Sequence, residues 1–226
     1  MKWFKSILFF LFFLFGNMYV GWSVAQTKPQ QQVGANIYDE QAHKILKQAA
    51  AKFKNSPVSF SVVMLNKDSD KKETMRRNIK VLYNKGKYRV SFDNQVLISD
   101  GSTVWHVNKD VNEVVVNKVS AQNDDLMNPA LLLSNYDKNF KPKFIRENAD
   151  GTLVIDLKPF KGKSYHKVRL IIDGGNYLVL SMEMHNYDSS RGEFHMSDYK
   201  LKAPCKDSDF VFDESSSKGF EIIDMR

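Results

Sequence analysis

Apolar and polar residues alternate along most of the chain from Val58 to the C-terminus. A period of two is typical of β-strands that have one apolar and one polar face. Turns containing Asn, Asp and Gly separate the apolar runs, so the pattern predicts an antiparallel sheet of about ten strands connected as a meander. Outside the segment 96–119, the predicted strands are centred on residues 58–64, 79–83, 88–92, 153–157, 168–172, 178–184, 194–196, 210–212 and 219–224.

The segment 96–119 shows the alternation most clearly and predicts three short strands. Asp100-Gly101 separates the first two and is a typical two-residue hairpin turn, and residues 108–110 form the next turn. The following large apolar side chains fall on one face: Ile98, Trp105, Val107, Val114 and Val116. We expect Trp105 to point into the interior, and a half-buried position at the rim of the sheet is the alternative.

Two segments break the strand pattern and predict helices. Residues 38–53 carry apolar residues at helical spacing, with Asp39 and Glu40 in the first turn, and predict an amphipathic helix that covers the sheet. Residues 126–133 are strongly apolar, and Asn128 before Pro129 is a plausible N-cap. A short apolar helix inside a β-meander is unusual, so this second helix is expected to cover an apolar surface.

The first 25 residues have the features of an export signal. Lys2 and Lys5 precede an apolar run, and Ser23-Val24-Ala25 offers small residues at a cleavage site. We therefore expect a cleaved signal peptide at residues 1–25, a flexible polar leader at 26–37, and one domain at 38–226. An uncleaved membrane anchor is the alternative, which Gly16, Asn17 and Gly21 disfavour by interrupting the run.

Charge and cysteine content narrow the class of protein. The net charge is +7, and it falls to +5 without the signal because Lys2 and Lys5 are removed. This modest positive charge is typical of a soluble protein or of a weak attraction to acidic lipid head groups. Nothing else in the sequence supports binding to nucleic acid. The single cysteine, Cys205, excludes a disulfide framework and is expected to be a small, partly buried residue rather than a nucleophile.

The sequence contains no recognisable catalytic constellation. No H-E-x-x-H or G-x-S-x-G motif occurs, and we expect neither an enzyme nor a resident cofactor or metal. His185 and His195 could oppose each other across a hairpin and form a metal pair. Their parity places them, with Glu183, on the polar face, so surface histidines are the expected interpretation.

Four methionines fall in step with the apolar faces of their strands: Met64, Met182, Met184 and Met196. Flexible thioethers suit a pocket that must accept variable chains, whereas ordinary core packing is the alternative for each one.

Several of these segments together resemble the LolA-type family of outer-membrane lipoprotein carriers. The matching motifs are S-F-S-V at residues 59–62, S-D-G-S-T-V-W-H-V-N at 99–108, N-P-A-L-L-L-S at 128–134, and F-V-F-D with G-F-E-I-I-D at 210–224. The family's proline pair near the C-terminus is replaced here by Glu214-Ser215.

The resemblance implies an α+β, mainly β fold, with a single unclosed antiparallel β-barrel covered by the N-terminal helix and the short lid helix. Its apolar cavity would bind the acyl chains of lipoproteins through the following residues: Met64, Tyr83, Val90, Trp105, Leu131, Leu132, Met182, Met184 and Met196. In the family an arginine of the basic hairpin holds the lid. Here Lys85 is the matching residue, and Arg89 is the alternative latch.

The resemblance also implies a periplasmic, monomeric carrier that moves acylated lipoproteins from the inner to the outer membrane. An inner-membrane ABC-type lipoprotein-releasing complex would supply the cargo, and whether an outer-membrane receptor accepts it stays open. The alternative function is a periplasmic sensor of the same fold that binds lipid or lipoprotein without carrying it. Fold analogy does not distinguish the two.

Overall fold

A computed structural model describes residues 39–119, 129–216 and 218–226. The predicted signal peptide and leader, and the predicted N-cap Asn128, lie outside the described residues. Helix α1 spans Glu40–Lys54 and helix α2 spans Pro129–Asn139, and two 3₁₀ helices span Asp207–Phe210 and Glu214–Ser216. None of the helices in the described ranges is both long enough and apolar enough to cross a bilayer.

Twelve strands, β1 to β12, make up most of the described chain. Their bounds are Val58–Lys67, Glu73–Asn84, Lys87–Phe92, Gln95–Ser99, Thr103–Asn108, Glu113–Lys118, Phe140–Glu147, Thr152–Pro159, Tyr165–Asp173, Val179–Asn186, Arg191–Leu201 and Glu221–Asp224.

All twelve strands belong to one sheet in the order β12-β6-β5-β4-β3-β2-β1-β11-β10-β9-β8-β7. Neighbouring strands are antiparallel except that β12 runs parallel to β6. Because β12 and β7 lie at opposite ends of this order, the sheet is unclosed. The expected fold class, a mainly β unclosed barrel with two covering helices, is confirmed, and the expected count of about ten strands is corrected to twelve.

Two strand-level differences from the sequence analysis are found. The edge strand β7, Phe140–Glu147, was not predicted, and it contains Pro142. Proline is tolerated at a sheet edge, where its missing N–H breaks no ladder bond. Residues 210–212 do not form the expected strand, because Phe210 ends a 3₁₀ helix and the extended segment that follows carries no ladder pairing.

The turn between β4 and β5 is longer than the predicted two-residue hairpin and spans residues 100–102. Gly101 has a φ of 96°, which a residue with a side chain rarely adopts. The Asp100 carboxylate accepts hydrogen bonds from the backbone N–H groups of Ser102 and Thr103, at 2.8 and 2.7 Å. A side chain therefore replaces the backbone bond that would close a shorter turn.

Helix α1 is capped and tied to the sheet by one residue. Asp39 Oδ1 accepts a hydrogen bond from the N–H of Ala42 at 2.9 Å, and its Oδ2 accepts one from the N–H of Phe144 on β7 at 2.8 Å. The buried face of α1 then packs on the sheet through Leu46, Ala49 and Phe53. We call the sheet surface under α1 the helix-side face and the opposite surface the outer face.

Candidate functional site

The register of β8 to β11 and β1 places one continuous row of apolar side chains on the helix-side face. Met64 lies opposite Phe194, which lies opposite Met182, and this row continues through Leu170 to Ile155. The residues in this row are buried or packed against the same core cluster.

All four sequence-predicted methionines lie on this helix-side face. Met182 and Met196 are buried in the main core cluster, and Met64 and Met184 are partly buried and pack against it. Met184 lies opposite Gly192, whose missing side chain leaves room beside the thioether. The strand parity in the sequence therefore placed them correctly, although whether they contact a ligand stays a prediction.

Aromatic side chains from α1 and three strands fill the adjoining part of this interior. The ring of Phe53 lies 6.2 Å from those of Phe60 and Tyr83, both in edge-to-face geometry. Tyr83 lies opposite Tyr88 on β3, and Val90 is buried one position further along that strand's helix-side face. Sequence analysis had placed Tyr83 and Val90 in the site but had not included Phe53 and Phe60.

Helix α2 covers the same interior with only part of its surface. Ala130, Leu132 and Leu133 are buried in the core cluster, and Leu131 and Tyr136 pack against it while partly exposed. The remainder of the helix, from Ser134 to Asn139, is largely exposed. The buried side chains of α2 that the structure describes therefore all lie in its first half.

Helices α1 and α2 contact each other at the margin of the interior. His43 Nδ1 and the Tyr136 hydroxyl are 3.3 Å apart, and the two rings lie 5.6 Å apart. This contact joins the capped helix α1 to helix α2.

One predicted site residue lies on the wrong side of the sheet. Trp105 pairs with Ile98 and Val116, and all three side chains lie on the outer face of the sheet. Val90 lies on the other, helix-side face. On the outer face, Trp105 packs against a second apolar cluster formed by β4–β6, Phe212 and Phe220. Trp105 therefore does not join the other eight predicted contacts, because the C-terminal segment covers the outer face of these strands.

The two latch candidates also lie away from α2. Lys85 occupies the exposed turn between β2 and β3 with a φ of 49°. Arg89 lies on the outer face, where its Nη1 donates a hydrogen bond to the backbone carbonyl of Asp209 at 3.3 Å. The described contact of Arg89 thus holds the C-terminal segment, and a latch role for either residue stays a prediction.

The second apolar cluster contains a feature that sequence analysis missed. A cleft of about 480 Å³ lies between the outer face and the C-terminal segment, with Val96, Ile98 and Val107 on one side and Phe212 and Phe220 on the other. The alternation of apolar residues does not predict this cleft, because Phe212 and Phe220, which form its C-terminal wall, lie outside the helices and strands.

The outer face of β8–β11 carries a network of charged side chains. Arg169 donates two hydrogen bonds to Asp156 at 2.7 and 2.9 Å, and Lys67 donates two to Glu193 at 2.9 and 2.8 Å. Burial alone would raise the pKa of Asp156, but the Arg169 hydrogen bonds and the nearby Lys167 hold that pKa below its usual value.

The histidines of this face do not form the pair that the sequence allowed. His185 lies opposite Arg191, and His195 lies opposite Ser181, so they do not meet across the hairpin. Burial and the nearby Lys167 lower the pKa of His185, although Glu183, 3.2 Å away, opposes this. His185 is therefore a neutral structural histidine at neutral pH.

A mainly β, unclosed sheet whose apolar face is covered by helices defines an open-barrel fold class. The model of the outer membrane lipoprotein carrier protein LolA matches residues 86–213, which is more than half of the chain. The chain belongs to the LolA family. Members of this family are binding and carrier proteins rather than enzymes.

Solved structures with this fold are numerous but distant in sequence. An uncharacterized conserved protein from Thermus thermophilus has a TM-score of 0.58 at 10% identity, over 82% of this chain and 99% of that one. A LolA superfamily protein from Nitrosomonas europaea has a TM-score of 0.44 at 17% identity, over 76% and 98%. The MucA/MucB complex structure from Pseudomonas aeruginosa gives 0.39 at 15%, over 77% and 62%. No curated protein matches the chain.

Proposed function

We propose that this protein is a periplasmic carrier that binds the acyl chains of lipoproteins and moves them from the inner to the outer membrane. Residues 1–25 would be removed on export, and residues 38–226 would form the binding domain. An inner-membrane ABC-type lipoprotein-releasing complex would load it. Membership of the LolA family supports this proposal.

One observation carries the proposal. Eight of the nine predicted acyl contacts lie in or against a single apolar cluster on the helix-side face, and α2 covers it. These eight residues come from distant parts of the chain: Met64, Tyr83, Val90, Leu131, Leu132, Met182, Met184 and Met196. Such a cluster provides the large apolar surface that an acyl chain needs in order to leave water.

The energies of lid displacement and chain binding are compatible. Exposing Leu132, Leu133 and Ala130 of α2 would cost about 4–7 kcal/mol, at about 1.5–3 kcal/mol for each large side chain. An acyl chain with about fourteen buried methylenes would gain about 11 kcal/mol. A single chain can therefore offset the displacement of α2, whereas the empty protein keeps α2 in place.

The methionines suit the same task. Met64 and Met184 are partly buried at the margin of the cluster, where their flexible thioethers can adapt to chains that differ in length and branching. The interior needs no covalent chemistry for this function, because loading and release depend on the position of α2 and on the affinity of the next acceptor.

The test is mass spectrometry of the protein recovered from the periplasm of its own host, first native and then denaturing. We expect a triacylated lipoprotein to accompany the protein and to be released by unfolding. Free phospholipid or fatty acid alone would contradict a carrier and support a lipid-binding sensor, and an empty protein would refute both.

Matched substitutions connect the cargo to the interior. Met184→Glu introduces a charge at the cluster, and Leu131→Glu does so on the partly buried side of α2. Met225→Glu is the control, because Met225 is 66% exposed. We expect cargo to be lost from the first two and retained by the third, with circular dichroism showing that all three fold. Retention of cargo by Met184→Glu and Leu131→Glu would exclude this interior as the binding site.

A further inference from the structure

An exposed aromatic residue lies among lysines where β7 and β8 meet. Phe160 follows directly after β8 and is 59% exposed. Five exposed lysines lie in the two chain segments around it: Lys138, Lys141, Lys143, Lys158 and Lys161. We call Phe160 and these five lysines the lysine–phenylalanine surface.

Strand pairing and a backbone bond hold the two segments together. Lys141 lies directly opposite Lys158, and Phe140 lies opposite Pro159. The N–H of Phe160 donates a hydrogen bond to the carbonyl of Asn139 at 2.9 Å. The exposed ring is therefore anchored at its backbone beside the start of β7.

The segments that carry these five lysines, residues 138–143 and 158–161, contain no Asp or Glu. Of the described carboxylates that adjoin them, Asp137 is exposed on α2, and Asp156, which lies opposite Lys143, is engaged by Arg169. Like charges directly opposite in a sheet are destabilising, so the Lys141 and Lys158 pair costs the fold stability.

The composition favours a lipid surface over a structured acidic partner. All five cations are lysines, which are point charges on flexible stems, whereas recognition of a fixed carboxylate favours the planar fork of arginine. An aromatic ring flanked by lysines matches a bilayer interface, where the ring enters the head-group level and the amines meet phosphate.

We propose that the lysine–phenylalanine surface docks this protein on anionic phospholipid bilayers. Phe160 enters the interface, and Lys141, Lys158 and Lys161 contact lipid phosphates. Phe160 and the three lysines that contact lipid lie in β7, in β8 or directly after β8, outside α2 and outside the apolar cluster, so this binding does not require acyl cargo. It therefore stands apart from the carrier function and would serve a sensor equally well.

The test is co-sedimentation with vesicles of phosphatidylcholine containing about 30% phosphatidylglycerol, using protein recovered after export of the full chain so that every variant has the same N-terminus. Each lysine near an anionic leaflet strengthens binding about fivefold. The triple variant Lys141→Gln, Lys158→Gln, Lys161→Gln should therefore bind at least about tenfold more weakly than the wild type. Phe160→Ser should also weaken binding, and salt should weaken binding of the wild type more than that of the triple variant.

The control is a second triple variant, Lys47→Gln, Lys54→Gln, Lys200→Gln. It has the same change in net charge, but at exposed lysines outside this surface. We expect it to bind within about twofold of the wild type. Equal loss in both triple variants would overturn the proposal in favour of a general charge effect. Absence of binding to the anionic vesicles would also overturn it and leave an acidic protein as the partner to seek.

Discussion

At the residue scale, Asp39 performs two tasks with its two carboxylate oxygens. One oxygen caps α1, and the other accepts the N–H of Phe144 on the edge strand β7. The second bond occurs at a register shift in the β7–β8 pairing, between Phe144 and Arg146. A single side chain thus fixes the helix start and satisfies a backbone donor that has no further strand to pair with.

Removing the Asp39 side chain should destabilise the fold. We expect Asp39→Ala to lower the free energy of unfolding by about 1–3 kcal/mol, because a cap and a second bond are lost. Asp39→Asn should lose about half of that, since asparagine can still cap α1 but would present a donor to one of the two N–H groups. Urea unfolding measures both, with Glu40→Ala as the exposed control. Equal stability of Asp39→Ala and the wild type would contradict the assignment.

His185 should make stability depend on pH. Its folded-state pKa is lowered from 6.5, so below pH 6.5 the unfolded chain takes up a proton more readily than the native chain. The contribution of neutral His185 to the free energy of unfolding is therefore fully present above pH 6.5. It falls as the pH is lowered, by at most about 1.4 kcal/mol per pH unit. Urea unfolding of His185→Asn between pH 7.5 and 5.5 should show a smaller fall than the wild type. His195→Asn, at a half-exposed side chain, is the control.

At the scale of elements, α1 and α2 differ in how they are held. Helix α1 is capped by Asp39 and buries Ala42, Leu46 and Ala49 completely. Among the side chains of α2 that the structure describes, Ala130, Leu132 and Leu133 are buried, and most of those from Ser134 to Asn139 are exposed. The contact between His43 and Tyr136 is where α1 meets the helix that we propose moves.

Fixing this contact should block uptake of an acyl chain. We expect His43→Cys with Tyr136→Cys, in a Cys205→Ser background, to lose uptake of a pyrene-labelled fatty acid by roughly tenfold after reaction with a short bifunctional thiol reagent. Each single cysteine treated with the reagent should behave as the untreated protein. Unchanged uptake in the cross-linked protein would show that α2 need not leave α1 for the chain to enter.

The elements also show what the sequence could predict. Strand parity put each of the four methionines, Met64, Met182, Met184 and Met196, on the apolar face of its own strand, because every second residue of a strand points the same way. That all four share one face of the sheet follows from the strand pairing, which the sequence did not show. The same rule correctly predicted that Trp105 shares a face with Ile98 and Val107. However, strand parity does not show which of the two faces of the sheet the helices cover.

A long-range contact accounts for the position of Trp105. It was expected in the interior, yet Phe212 and Phe220, more than a hundred residues away in the chain, cover its face of the sheet. Arg89 also contacts the C-terminal segment, through the carbonyl of Asp209. The alternation of residues 210–212 and 219–224 predicted strands there, but it could not predict which face of the sheet these residues cover.

At the scale of the whole molecule, the C-terminus completes one end of the sheet. Strand β12 pairs in parallel with β6, and Phe220 packs against the cluster that contains Val114 and Val116. Deleting residues 218–226 should uncover the longer strand β6 as a new edge. An exposed valine-rich edge strand is a typical site of aggregation.

This deletion should lower the free energy of unfolding by about 2–4 kcal/mol, mainly through loss of the Phe220 contacts, and should increase light scattering on concentration. Urea unfolding and static scattering measure the two effects. Deletion of residues 225–226 alone leaves β12 and Phe220 in place and serves as the control. A full deletion as stable and as monodisperse as this control would show that β12 does not protect the edge.

The position of α2 in the chain has a mechanical consequence. It lies between β6, which is next to one end of the sheet, and β7, which is the other end. At its C-terminal end the helix runs directly into β7, because Asn139 ends α2 and Phe140 begins the strand. If an acyl chain displaces α2 as proposed, the movement would pull on the sheet border at β7, so the position of the helix and that of this edge strand would change together.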